Sequence, residues 1–178
     1  MNYSVILIVV AIFILRLFFL KISKQNEKNI LANGGKEYGV ANSKRLTILH
    51  IAFYLFSVIE AVVRKTTLDA ISLAGLGLMI FSMIMLTVVV RLLKDIWTVK
   101  LMLLSNHKYN PHWLFKVVKH PNYFLNIAPE LIGLVLLCHA WYTLAVVAPF
   151  YMYTMYVRIK EEEKLLREVI IPNGVLEA

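Results

Sequence analysis

Five apolar stretches, separated by short polar connections, set the pattern of the chain. They cover residues 3–20, 46–63, 70–90, 123–138 and 141–157. A hydrocarbon layer of about 30 Å takes roughly 20 helical residues, so each stretch is read as a membrane-spanning helix. Between the first two, "SKQNEKNILANGGKEYG" (23–39) keeps a helical rhythm as far as Ala32 and then meets Gly34 and Gly35 as a stop. That segment is expected to lie along the cytoplasmic face. The third stretch leads into "RLLKDIWTVKLMLLSNHKYNPHWLFKVVKHP" (91–121), whose alternation is imperfect and whose "SNHKYNP" reads as a turn. Lys100, Lys116 and Lys119 interrupt its apolar runs, so a short hairpin or irregular cytoplasmic segment is predicted there. Only His139 and Ala140 join the last two stretches, which predicts a tight antiparallel helical hairpin. The fold class is therefore an all-α integral membrane protein of five transmembrane helices, one domain over residues 1–178.

Composition supports this reading, with 60% hydrophobic and 17% charged residues. A net charge of +8 would suit nucleic acid, but the placement of the charges excludes that partner. Lys and Arg number six, two, six and none in the successive connections, and four in the tail from Arg158. Such alternation follows the positive-inside bias and predicts an outer N-terminus and a cytoplasmic C-terminus in the cell membrane. Basic residues near the inner face would also seat the protein on anionic lipid. Residues 1–20 lack a basic leading region and a small-residue cleavage site, so the first stretch is expected to be a retained anchor. Cys138 is the sole cysteine, which leaves no intrachain disulfide and no cysteine metal cluster. No metal site is expected, and the oligomeric state stays open.

Three polar features interrupt the apolar pattern. "KHPNY" (119–123) stands at the entry to the fourth stretch. Proline suits a first helical turn, so helix punctuation with an aromatic anchor is one reading. The other is an anion site, since a helix start presents free N–H groups and His120 and Lys119 add donors. "RIKEEEKLL" (158–166) ends the fifth stretch. It reads as a solvated helix extension, with Glu161 and Lys164 a surface pair, or as a ligand-facing surface. At about 100° per residue, Arg158, Glu162 and Leu166 share one face and Glu163 lies beside it. The hairpin returns these carboxylates to the membrane face of His120, where they can meet an ammonium group or ribose hydroxyls. Finally, Asn126, Glu130 and Gly133 form one small, polar stripe inside the fourth stretch. An intramembrane carboxyl is expected to face a cavity or a partner helix, not lipid.

"KHPNY", a hydrophobic hairpin of about 35 residues and then "RIKEEEKLL" together resemble the isoprenylcysteine carboxyl methyltransferase family. His120, Pro121, Tyr123, Arg158, Glu162, Glu163 and Leu166 fall on the positions of its motifs, and "WTVKLMLL" and "NEKNILANGGKEYG" are similar to stretches of its bacterial members. Lys119 replaces the usual Arg, Trp113 and Leu114 stand where Gly-Pro is common, and the tail lacks an aromatic Gly-x-x-Tyr segment. The resemblance implies O-methylation of a lipid-soluble acceptor, a carboxylate or acidic hydroxyl, with S-adenosylmethionine as cofactor bound within residues 97–168. It implies Lys119, His120, Tyr123, Glu162 and Glu163 as cofactor-binding residues and Arg158 as a catalytic one. Asn126 and Glu130 join the catalytic set because their intramembrane stripe is expected to face the acceptor's cavity. Two alternatives stand beside it. Membrane steroid reductases share a His-Pro-Asn-Tyr signature and use NADPH, but carry Glu where this chain has Asn126. A non-enzymatic adaptor would use the polar stripe to pack against another protein's helix.

Overall fold

A computed structural model describes residues 3–104 and 109–174. Most of the chain is helical. The elements are α1 (Ser4–Ala32), β1 (Lys36–Tyr38), α2 (Val40–Val63), α3 (Ala70–Leu93), β2 (Leu101–Leu103), α4 (Trp113–Val117), α5 (Ala128–Cys138) and α6 (Trp141–Leu165). A 3₁₀ turn (Lys94–Ile96) follows α3, and π-helical turns precede α5 (Asn122–Ile127) and follow α6 (Leu166–Ile170).

Three helices are long and apolar enough to cross a membrane: Ser4–Ala32, Val40–Val63 and Ala70–Ile96. Residues Asn122–Cys138 form a shorter apolar helix. The 29 residues of α1 span about 43 Å at helical rise, so the first stretch and the expected surface helix are one continuous rod. It stops where the sequence predicts, at Ala32, with Gly34 in the left-handed region (φ 80). Asp69 caps α3 by accepting the Ser72 N–H at 2.8 Å.

Packing within the bundle departs from a simple hairpin. His139 takes a left-handed conformation (φ 52) and turns the chain directly from α5 into α6. The two helices then diverge: α5 packs chiefly on α3 and α6 chiefly on α2. The α3–α5 crossing is close because two glycines meet there. A Cβ at Gly133 would lie 2.7 Å from the Gly75 carbonyl oxygen, and one at Gly75 would lie 2.6 Å from that of Gly133. Small residues at such a contact let dispersion act over the whole crossing, the main attraction between helices in lipid. Met79, Leu134 and Leu137 fill the core around it, with Val5, Val9 and Phe53 from α1 and α2. Leu7, Phe18, Leu55, Phe150 and Met152 point outward, the disposition a lipid-facing surface requires.

The segment after α3 does not form a hairpin of its own among the described residues. β2 pairs antiparallel with β1, which comes from the other side of α2 in the chain, in the register Lys36↔Leu103, Glu37↔Met102 and Tyr38↔Leu101. Burial of Met102 and Leu103 and the Lys100–Glu37 bond (2.9 Å) support this two-stranded ribbon, which alone would be marginal. That bond, with Glu27 also near, raises the Lys100 pKa above its ordinary value. The turn predicted at "SNHKYNP" falls largely on residues 105–108, which lie outside the described residues together with Lys108.

Candidate active site

The site begins with the way the chain enters α5. Pro129 has no N–H to give to the Leu125 carbonyl, so a regular ladder lapses one turn earlier. Residues Asn122–Ile127 widen into a π-helical turn, the form such a lapse often takes. Pro121 stands just before it, and the His120 carbonyl accepts the N–H groups of Tyr123 (3.0 Å) and Phe124 (3.1 Å). This fixes His120 and Tyr123 side by side, their rings stacked at 5.8 Å between centroids.

The last turns of α6 supply the other half. The His120 Nδ1 lies 3.1 Å from Glu162 Oε1, and the Tyr123 hydroxyl donates to Glu162 Oε2 at 2.5 Å. The Arg158 Nε in turn donates to the Tyr123 oxygen at 3.2 Å. An ionised carboxylate only accepts, so the proton between His120 and Glu162 belongs on Nδ1. His120 Nε2 then faces away from Glu162, and it is buried without a hydrogen-bond partner. Oε1 of Glu163 lies 3.8 Å from it, beyond hydrogen-bond reach. Arg158 is only 3% exposed and spends its other nitrogens on structure, donating to the Ser43 hydroxyl (2.7 Å) and the Val99 carbonyl (3.2 Å). It ties α6 to α2 and to the segment between α3 and β2.

These residues open onto a cavity of about 180 Å³ at the end of the bundle. Lys119, His120, Tyr123, Arg158 and Glu162 all line it, so five of the eight residues picked from the sequence converge. Lys119 is exposed on its rim. Most of the remaining wall is apolar and comes from α3, from residues 96–103 and from Phe115, Leu166 and Ile170.

The other three stand elsewhere. Glu163 is outside the cavity lining and bonds Lys160 at 3.3 Å. That bond and the Lys160 charge hold its carboxyl below the usual carboxylate range, with Lys119 assisting. Of its neighbours, Glu162 faces the cavity on the side shared with Arg158, and only Glu161 departs from expectation, being half-buried instead of solvated. The Glu161 carboxylate packs against Gly39 at the start of α2 and accepts from Asn42 at 3.4 Å. Asn126 is buried against α3, accepting from Ser82 (3.0 Å) and donating to Asn122 (3.0 Å). Asn122 lines the cavity, so Asn126 reaches it at one remove.

Glu130 belongs to a second polar cluster. It is fully buried, paired with Arg16 of α1, and accepts the Tyr54 hydroxyl of α2 at 2.5 Å. His50 Nε2 lies 3.8 Å from the same carboxylate, and its Nδ1 lies 3.2 Å from the Tyr151 hydroxyl of α6. None of these residues lines the cavity. The expected stripe of Asn126, Glu130 and Gly133 is therefore divided: Asn126 and Gly133 meet α3, whereas Glu130 turns toward α1 and α2. Four helices meet at Glu130, which makes it an interhelical junction.

Sequence reasoning passed over three contributors to the site. Trp97 lines the cavity at 3% exposure, and its indole N–H has no partner. Ser43 and the Val99 carbonyl hold Arg158. Only Trp97 left a signal, as an aromatic residue two positions after the polar break "KD" that follows α3.

The sequence model of the isoprenylcysteine carboxyl methyltransferase family matches residues 75–168, which include every lining residue from Val89 to Leu166. The chain belongs to this family. Members of the isoprenylcysteine carboxyl methyltransferase family use S-adenosylmethionine as methyl donor. An uncharacterised protein of Haemophilus influenzae is 47% identical over 152 residues, covering 85% of this chain and 88% of that protein. The uncharacterised Bacillus subtilis protein YpbQ is 24% identical over 162 residues, covering 91% and 96%. No solved structure matches the chain. The matched region holds the whole cavity lining except Ile170, whereas α1, β1 and α2 lie before the match begins.

Proposed function

We propose that this protein transfers a methyl group from S-adenosylmethionine to an oxygen of a lipid-soluble acceptor, a carboxylate or acidic hydroxyl. The reading rests on one observation above the others: His120, Tyr123, Arg158 and Glu162, contributed by two distant stretches, converge on a single mostly apolar cavity. The residues fit the cofactor. His120 Nε2 and the Trp97 N–H are buried polar atoms without partners, which a bound ligand would satisfy. Lys119, with His120 beside it, would hold an α-carboxylate. Glu162 accepts two hydrogen bonds from its neighbours and keeps lone pairs for an ammonium or ribose hydroxyls, with Glu163 close by. The Tyr123 ring suits a sulfonium. When bound, the cofactor supplies an electrophilic methyl group.

The protein's own contribution is then positioning and exclusion of water. Arg158 and Glu162 fix the Tyr123 hydroxyl from both sides, so the aromatic wall is held in place. A carboxylate acceptor needs no base. In the membrane, α5 and α6 join the three long helices as fourth and fifth spans, with the N-terminus outside and the cavity at the cytoplasmic face. The acceptor enters from the bilayer.

Calorimetric titration of the detergent-purified protein with S-adenosylmethionine, and separately with NADPH, tests the reading. Saturable binding of the first and none of the second is expected. Binding of NADPH alone would replace the methyltransferase by a reductase, and binding of neither would remove the enzymatic reading.

A further inference from the structure

The cytoplasmic half of α1 carries polar side chains where an anchoring helix needs none. Its inward stripe runs through the buried Val5, Val9, Ile12, Ser23, Asn26 and Ile30, with the half-buried Arg16 and Phe19 between them, at alternating spacings of four and three residues. Phe19 packs on Trp97 with centroids 6.5 Å apart. Ser23 and Asn26 are 0% and 6% exposed. All their bonds to the rest of the molecule end on the backbone of one short segment. Asn26 Nδ2 donates to the carbonyls of Lys94 (3.0 Å) and Trp97 (2.8 Å), and the Ser23 hydroxyl accepts the Val99 N–H at 2.9 Å.

That segment is a wall of the cavity. Residues Ile96 to Leu103 line it, and its backbone begins from a strained conformation at Lys94 (φ 48), which a non-glycine residue holds only when its surroundings enforce it. Asn26 bonds the carbonyl of that very residue. The Val99 carbonyl, one atom group along from the N–H held by Ser23, receives Arg158. The path of residues 94–99 is thus fixed from α1 on one side and from α6 on the other. The Trp97 side chain, carrying a buried and unpartnered N–H, sits between the two anchors.

We propose that Ser23 and Asn26 are positioning residues for the cofactor cavity, holding residues 94–99 so that the Trp97 indole N–H is presented to an acceptor atom of the bound ligand. The inference rests on the cofactor reading above. It gives α1, which lies outside the region matched by the family, a part in binding as well as in anchoring.

The test uses the full-length protein carrying Trp113→Phe and Trp141→Phe, so that Trp97 is the only indole. S-adenosylmethionine is titrated by calorimetry and by Trp97 emission in this parent and in Ser23→Ala, Ser23→Thr and Asn26→Leu. Thr66→Val serves as control, because it removes a comparable long-range bond, from the connection between α2 and α3 to the Cys138 carbonyl at the end of α5, away from the cavity lining. The parent should bind with a change in Trp97 emission. Asn26→Leu should weaken binding about five- to fifty-fold and red-shift the ligand-free emission, as two hydrogen bonds are lost and the wall opens. Ser23→Ala should act in the same direction to a smaller extent, and Ser23→Thr should restore the parent's behaviour. Thr66→Val should bind like the parent. Parent-like affinity and emission in both Ser23→Ala and Asn26→Leu would overturn the positioning role. Calorimetric binding without any response from Trp97 would overturn the contact. Absence of binding by the parent would instead refute the cofactor reading, and this inference with it. Should Asn26→Leu not fold, the Ser23 pair decides.

Discussion

Removing the carboxyl of Glu130 should separate its structural work from the chemistry at the cavity. In the parent it is completely buried, paired with Arg16 and accepting from Tyr54 at 2.5 Å. Glu130→Leu leaves the guanidinium without its counter-charge and the Tyr54 hydroxyl without an acceptor. Breaking a buried pair from one side costs about 3–5 kcal/mol. Arg16→Leu should cost less, about 1–3 kcal/mol, because a stranded carboxyl can take up a proton and keep its bond to Tyr54. A guanidinium has no such escape. The double variant Arg16→Leu/Glu130→Leu removes both charges and should be more stable than Glu130→Leu alone. Reversible unfolding in mixed micelles, followed by circular dichroism, gives the three free energies. A coupling of about 2 kcal/mol or more is expected, well above the roughly 0.5 kcal/mol of independent sites. Additive losses would refute the junction. Because none of the cluster lines the cavity, every variant that folds should keep the parent's affinity for S-adenosylmethionine; a large loss in folded Glu130→Leu would refute the separation of the two clusters.

At the cavity, His120→Ala and Glu162→Ala should each weaken S-adenosylmethionine binding by about 1.5–3 kcal/mol, measured by calorimetry, and Glu163→Ala by clearly less. Equal losses at Glu162 and Glu163 would contradict the helix face observed. Glu161→Ala should lower thermal stability by about 0.5–2 kcal/mol, since it removes a carboxylate from the start of α2, and should leave affinity unchanged. Gly133→Leu should prevent the α3–α5 crossing and yield no folded protein by size-exclusion chromatography, as its side chain has only the Gly75 backbone and Met79 to displace. For the orientation, a cysteine at position 34 should resist an impermeant reagent applied to intact cells and one at 67 should react; the reverse pattern would invert the proposed topology.

Local chemistry made half of this arrangement readable from the sequence. The end of α1 at Ala32 followed from its glycines, and the meeting of His120 with the last turns of α6 followed from a short connection and the spacing of Arg158 and Glu162. What escaped depended on contacts between distant parts of the chain. Arg16 and Glu130 are separated by 114 positions, and no periodicity in either helix reveals that they pair. The pairing of residues 36–38 with 101–103 is equally non-local, so the imperfect alternation near residue 100 read only as a local hairpin or irregular segment, and the distant partner strand was not legible. Counting at 100° per residue placed Asn126, Glu130 and Gly133 on one stripe, but it assumed a regular helix. The π-helical turn before Pro129 changes the register of Asn126, and within α5 the roughly 60° between Glu130 and Gly133 turns one toward α1 and α2 and the other toward α3. Among the three adjacent glutamates, periodicity placed Glu162 with Arg158 correctly. The burial of Glu161 depends on the start of α2, which the sequence of α6 does not contain.

Methyl transfer itself is the most direct measurement. The purified protein, reconstituted with a total lipid extract and methyl-labelled S-adenosylmethionine, should move label into the organic phase, and His120→Ala and Glu162→Ala should not. Alkali should release the label as methanol if the acceptor is a carboxylate and leave it bound if the acceptor is a hydroxyl. Label that stays aqueous with the parent, across extracts that contain carboxylated and phenolic lipids, would contradict the account.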